Sequence, residues 1–420
     1  MKLKPIRFGR FTPIIKNASW LSIFEMLRML MPFIALPYLF GVVGEAQYGR
    51  VVFVQSIIAC FALIVNFGLD TSAVREVAVY RNDKQQLNKI VSSVIIIKLL
   101  LGVVSFILMN IVLVLVPSMG ALRLIFYYAF IACISDIFLP VWYFLGKEEM
   151  KKLPFIRFFS IAFYTASIFI WVRSSDDYPR IALLQSVSLL SSATIACYYV
   201  FIRDKIRFHI PPASFTLRLF KESSPFFMSR ASLLVNTYMA KILSGIFLSE
   251  TVVAAFDVAQ RIINGGLVPA QMLNQSLYPY MSKSQDKGML RRSFLIVAVM
   301  STCMSVALFI FSDFVVQLLS KGHTPEAVVI LRILCIFLFF SGFSLIMGAP
   351  SLVAFGHQKP FNMSVVWSSV VLLVCYAIII ISGSSSYYWF ALALVAAELM
   401  VFCYRFYYCR RFGLIGKKRD

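Results

Sequence analysis

Six fully charged residues, Glu25, Arg28, Arg230, Lys241, Asp257 and Arg261, interrupt stretches that are otherwise as apolar as a lipid tail. A charge near the bilayer centre costs about 2.5 to 3.5 kcal/mol, so several survive only where they pair or face a watered cavity. Glu25 and Arg28 stand three residues apart, and Asp257 and Arg261 four apart. Each pair therefore shares one helix face and can neutralise itself locally. Glu25, Arg28, Arg230, Asp257 and Arg261 together supply three cations and two anions, so a cavity that they line favours an anion. Lys241 reads as a snorkelling side chain near a helix end. Asp136 and Glu398 stand apart from other charges, and a lone carboxylate in a membrane is a candidate proton or cation site. Glu25, Asp257 and Asp136 are thus the candidates for ion coupling or charge pairing.

Other chemistry has little to work with. The eight cysteines all lie in apolar runs without a Cys-x-x-Cys spacing, and His209, His323 and His357 are scattered. The cysteines read as small core residues, and neither a metal site, a catalytic set nor a cofactor is expected.

The elements that must hold these charges are membrane helices. Hydrophobic residues make up 60% of the 420, charged residues only 14%, and mean hydropathy is +0.83. Soluble domains carry about 25% charged residues. Apolar runs of about 20 residues, enough to cross the hydrocarbon core, place helices near 19–41, 50–69, 90–116, 121–145, 154–172 and 180–202. Six more fall near 223–247, 252–279, 293–311, 326–354, 361–382 and 387–409. The expected fold is an all-α polytopic membrane protein of about twelve transmembrane helices.

Lys2, Lys4, Arg7, Arg10 and Lys16 precede a full-length first helix without a small-residue cleavage site, so that helix is expected to stay as an anchor. Twelve spans put the basic groups around Arg75–Lys89, Lys147–Arg157, Arg203–Lys221, Lys283–Arg292, Lys359 and the tail from Arg405 on one side. Only Arg50, Arg123, Arg173, Arg180 and Lys321 fall on the other. That asymmetry places both termini in the cytoplasm. It also accounts for most of the +21 net charge, which argues against nucleic acid and for anionic lipid headgroups as the partner of the basic loops.

The chain echoes itself at an offset of 205, which carries Tyr48–Ile58 onto Val253–Ile263 and Glu25 onto Arg230. A duplication gives two parallel six-helix lobes, residues 1–204 and 223–420, joined by a cytoplasmic linker over 205–222. Helices 1 and 2 then face helices 7 and 8 across a central cationic cleft, where Glu25 and Arg230 could pair. Helix 8 carries Asn264-Gly265-Gly266 and Pro269, with a polar inner half at Gln271, Asn274 and Gln275, and helix 1 carries Pro32 and Pro37. Broken helices line cavities more often than lipid.

Several segments resemble one family. Leu36-Pro37-Tyr38-Leu39, then Gly44-Glu45-Ala46-Gln47-Tyr48-Gly49 with Phe53 and Gln55, looks like the helix 1 to helix 2 signature of Wzx-type O-antigen and polysaccharide repeat-unit flippases. Gly68-Leu69-Asp70-Thr71-Ser72-Ala73-Val74-Arg75, the stretch Pro140–Met150 and Leu277-Tyr278-Pro279 are similar to further family segments, Pro140–Met150 being the most specific. Phe40-Gly41 stands where many members place an arginine.

The resemblance implies a flippase of the superfamily that includes MATE transporters. It would carry undecaprenyl-diphosphate-linked repeat units from the cytoplasmic to the periplasmic leaflet of the bacterial inner membrane by alternating access, with or without ion coupling. Arg28, Arg230 and Arg261 would take the diphosphate through charge-assisted bonds. Asn236, Gln271, Asn274 and Gln275 would meet the sugars. The resemblance also implies an O-antigen polymerase and a chain-length regulator as partners. Two alternatives stand beside it: a MATE-like drug or cation antiporter, which would want an acidic cleft, and a membrane-embedded glycan polymerase or ligase, which would want a larger outer loop than Arg173–Arg180.

Overall fold

The computed structural model describes residues 12–149, 152–322 and 324–415, with side chains from Met31 onward. Every described element is helical. In chain order these are α1 (Thr12–Asn66), α2 (Leu69–Val79), α3 (Lys84–Leu115), α4 (Pro117–Gly120), α5 (Arg123–Phe138), α6 (Val141–Gly146), α7 (Lys152–Trp171) and α8 (Tyr178–Cys197). They continue with α9 (Ala213–Phe247), α10 (Glu250–Ser284), α11 (Lys287–Ile310), α12 (Ser312–Ser320), α13 (Pro325–Ile346), α14 (Gln358–Ile381) and α15 (Tyr387–Arg411). Short π-helical segments extend α8 over Tyr198–Arg203 and α13 over Met347–Val353.

Each expected span overlaps a helix. Among the described residues nine stretches are long and apolar enough to cross a membrane, and α9 and α10 are not among them. Those two carry Arg230, Asn236, Lys241, Asp257, Arg261 and the Asn and Gln residues, which is the composition of helices that line something more polar than lipid.

The breaks differ from expectation. Pro32 and Pro37 lie inside α1, whose helical path is interrupted instead at Gly44, with φ 77° and ψ 170°. That positive φ is open to glycine and strained for other residues. Helix α10 runs unbroken through Asn264-Gly265-Gly266, Pro269 and Pro279. Gly266 serves packing there, because a Cβ would stand 2.7 Å from Leu338 of α13.

The helices gather into two compact units. Among the described residues, one takes the chain up to Tyr38, Ile64–Arg173 and Pro179–Ser224; the other takes Leu39–Leu63, Ser174–Tyr178 and the chain from Pro225. In the first unit the core joins Leu69, Ala73 and Val77 of α2 to Trp142, Tyr143 and Phe144 of α6 and to Ile90, Val91 and Val94 of α3. A Cβ on Gly146 would stand 2.6 Å from Val77. The two family-like segments around Asp70 and Trp142 are therefore packed against each other, and their apolar residues specify this junction. In the second unit a core forms from Leu277 and Met281 of α10, Leu290 and Val297 of α11, Ile346 and Met347 at the end of α13, and Cys409 of α15.

Candidate functional site

In the second unit the charges collect on Asp257. Asp257 is 4% exposed, and its carboxylate accepts hydrogen bonds from Lys241 Nζ at 2.8 Å, Arg261 Nε at 2.6 Å and Tyr48 Oη at 2.6 Å. The four-residue spacing brings Arg261 and Asp257 together on α10 as expected. Lys241 does not snorkel: it is 8% exposed, and its ammonium bonds the carboxylate and lies 5.8 Å from the Tyr238 ring. A buried carboxylate is a better partner for it than a route to water. Asp257, Lys241 and Arg261 together carry one net positive charge, and the Arg261 side chain remains 36% exposed.

The residues that deliver Tyr48 are fitted closely. A Cβ on Gly49 would fall 1.8 Å from the Glu250 carbonyl oxygen, and one on Gly245 would fall 2.2 Å from the Phe53 ring. Arg50 Nε meets Glu250 Oε1 at 3.4 Å. The Tyr48-Gly49-Arg50 run thus docks on the start of α10, a role that sequence reasoning did not assign to it.

A cavity of about 250 Å³ opens in the same unit among α9, α10, α13, α14 and α15. Asn236, Gln271, Ser341, Ser368, Glu398 and Arg405 supply polar lining. Asn236 bonds Ser369 and Ser368 of α14. Arg405, expected in the cytoplasmic tail, is instead 7% exposed. It donates to Ser364 Oγ at 2.9 Å and the Ser344 carbonyl at 2.7 Å, 4.7 Å above the Phe361 ring. Glu398, expected to stand alone, shares this cavity with it.

The remaining candidates are dispersed. Arg230 is exposed on α9, Gln275 is exposed on α10, and Asn274 has a buried Oδ1 without a hydrogen-bond partner; neither Asn274 nor Gln275 lines the cavity with Gln271. Glu25 and Arg28 lie in the part of α1 whose side chains are outside the described residues, and so does the expected Glu25–Arg230 pair.

Asp136 lies in the first unit and is not a lone carboxylate. Lys98, fully buried on α3, bonds Asp136 Oδ2 at 3.3 Å and Asp70 Oδ1 at 3.2 Å. Nearby, Asp204 accepts from Lys147 Nζ at 2.6 Å and Tyr143 Oη at 2.8 Å. Burial pushes the Asp204 carboxyl up, but these bonds and the charges of Lys147 and Lys152 outweigh it and hold it below the ordinary carboxylate value.

The fold is shared with known transporters. A structure of the lipid II flippase MurJ in an inward closed conformation superposes with a TM-score of 0.71 at 15% identity, covering 93% of this chain and 87% of that one. An inward-facing multidrug resistance MATE family transporter of the MOP superfamily gives 0.69 at 17% identity, covering 91% and 98%. In sequence, the family described as "Polysaccharide biosynthesis protein" matches residues 14–285. Two proteins, each named "Putative O-antigen transporter", are similar over most of their lengths. The one from Shigella dysenteriae is 30% identical, covering 70% of this chain and 74% of its own. The one from Escherichia coli (strain K12) is 22% identical, covering 86% and 88%. A family match over more than half of the residues, beside a 30% identical relative, makes this chain a member of the polysaccharide biosynthesis protein family.

Proposed function

We propose that the chain is a flippase for undecaprenyl-diphosphate-linked O-antigen or polysaccharide repeat units, carrying them from the cytoplasmic to the periplasmic leaflet of a bacterial inner membrane. The names of the two relatives and the lipid II flippase fold support this reading, and the observation that carries it to a site is the partly exposed Arg261 guanidinium held on buried Asp257. A diphosphate cannot cross hydrocarbon unaided, whereas its prenyl tail never needs to leave it. Arg261, oriented by buried Asp257, receives the diphosphate through charge-assisted bonds, together with Arg230 and Arg28. Asn236 and Gln271 meet sugar hydroxyls, with Asn274 and Gln275 as further polar contacts. A cationic drug would be repelled by the same arginines.

The excess of Lys and Arg in alternate loops supports cytoplasmic termini. In the periplasm the cargo passes to a polymerase whose products a chain-length regulator would limit. The test is deletion of the gene in its host: lipid-linked repeat units should accumulate on the cytoplasmic leaflet, and the wild-type gene should clear them while an Arg28→Ala, Arg230→Ala, Arg261→Ala variant does not. Deletion without accumulation would refute the flippase, and clearance by the triple variant would refute the arginine site.

A further inference from the structure

The first unit contains a charge cluster that cargo binding does not use. Pro140 explains how it forms. Lacking an N–H, proline cannot donate to the carbonyl four residues earlier, and that carbonyl belongs to Asp136. Lys98 Nζ takes the place of the missing donor at 3.0 Å. Its other two bonds go to Asp136 Oδ2 at 3.3 Å and Asp70 Oδ1 at 3.2 Å, so all three ammonium donors are used. Asn66, at the end of α1, directs its Nδ2 at both carboxylates, 2.6 Å from Asp70 Oδ2 and 3.2 Å from Asp136 Oδ2. Its own Oδ1 is buried without a hydrogen-bond partner.

Two carboxylates and one ammonium leave the cluster with one net negative charge. Among the described residues, the titratable groups whose charges reach Asp136 are Lys98 of α3, Asp70 of α2 and the Cys133 thiol on its own helix; Asp70 and Asp136 are those that reach Lys98. A single added proton cancels the excess. A metal ion would have to displace a fully buried ammonium from between the carboxylates, whereas a proton needs no room. The Asp136 and Asp70 side chains are 31% and 20% exposed, whereas Lys98 between them is fully buried.

We propose that Asp70, Asp136, Lys98 and Asn66 form a proton-binding site that loads one proton between the two carboxylates, and that this proton is the ion coupled to transport. The coupling rests on the flippase reading; the proton site does not. Infrared difference spectra of the purified full chain, recorded between mildly alkaline and mildly acidic buffer, test the site without cargo. Wild type should gain a protonated-carboxyl band that isotope labelling of aspartate shifts. Asp136→Asn and Asp70→Asn, each leaving one carboxylate neutralised by Lys98, should lack it. Lys98→Met, which strips the counter-charge, should bind the proton about tenfold or more tightly. The absence of the band from wild type, or its persistence in both Asn variants, overturns the site.

For coupling, the same protein in vesicles should flip lipid-linked oligosaccharide faster under an imposed proton gradient, and Asp136→Asn should flip at a rate indifferent to it. Wild-type flipping that ignores the gradient overturns the coupling. A band without any flipping overturns the flippase reading and leaves the proton site standing.

Discussion

Replacing Asp257 by Asn should be the most damaging isosteric change in the second unit. Asp257 is 4% exposed, and its carboxylate holds three donors. Of its cationic partners, the Arg261 side chain is 36% exposed, whereas the Lys241 side chain is only 10% exposed. The cost therefore falls on Lys241. Breaking a buried ion pair by removing one partner costs about 3 to 5 kcal/mol, because the other charge stays buried and uncompensated. The exposed Arg261 pair adds only about 0 to 1 kcal/mol. Adding Lys241→Met to Asp257→Asn removes the stranded ammonium, so the double variant should regain most of the loss, with a coupling energy of about 2 kcal/mol or more. Reversible denaturant unfolding of the purified chain in mixed micelles measures all four corners of this cycle. An Asp257→Asn variant within about 0.5 kcal/mol of wild type, or single changes that simply add to that accuracy, would refute the reasoning.

Three further outcomes follow from the packing and loop geometry. Gly49→Ala drives a Cβ into the Glu250 carbonyl and should cost about 1 to 3 kcal/mol as an overpacked site, with export in a complementation assay falling below wild type. Gly348→Ala places a Cβ 2.9 Å from both Arg405 Nη1 and the Phe361 ring; unfolding should show a loss of about 1 to 3 kcal/mol that shrinks when Arg405 is already Met, the Phe361 contact remaining. Asp204 has a carboxyl held below its ordinary value, so its contribution to stability is fully present above the unfolded-state value and is lost as pH falls through the lower folded-state value. Acid unfolding monitored across that window should therefore be less pH-dependent in Asp204→Asn than in wild type.

The helices were legible because a run of about 20 apolar residues has one physical meaning in a membrane, and the Asp257–Arg261 pair because four residues close one helical turn. Lys241 was misread although the sequence held its signal. It and Asp257 each stand eight residues from Ser249, the turn between α9 and α10, so at equal rise per residue they meet at one depth. Lys98 escaped because it sits singly in Val94-Ile95-Ile96-Ile97-Lys98-Leu99-Leu100-Leu101, and its carboxylates arrive from two other helices with no fixed spacing. Arg405 reads as tail because Tyr404-Arg405-Phe406-Tyr407-Tyr408 comes just ahead of Arg410 and Arg411, a pattern that also describes a helix emerging into a cytoplasmic surface, whereas α15 continues to Arg411. The glycines of α10 suggested a break, but α10 continues through them, and Gly266 leaves room for Leu338 of α13. The family-like segment around Trp142 carries packing between α2 and α6, which only three-dimensional contact could separate from a binding role.

The central claim is that this chain moves a diphosphate-linked glycan across a bilayer with Arg261 in the path. Its most direct test is to reconstitute the purified chain into vesicles that carry labelled undecaprenyl-diphosphate oligosaccharide, and to follow how much label an external, membrane-impermeant reagent can reach. Wild type should bring the inner pool to the reagent, and Arg261→Ala should slow this strongly while keeping its fold. If wild-type vesicles expose no more label than protein-free ones, the account is contradicted.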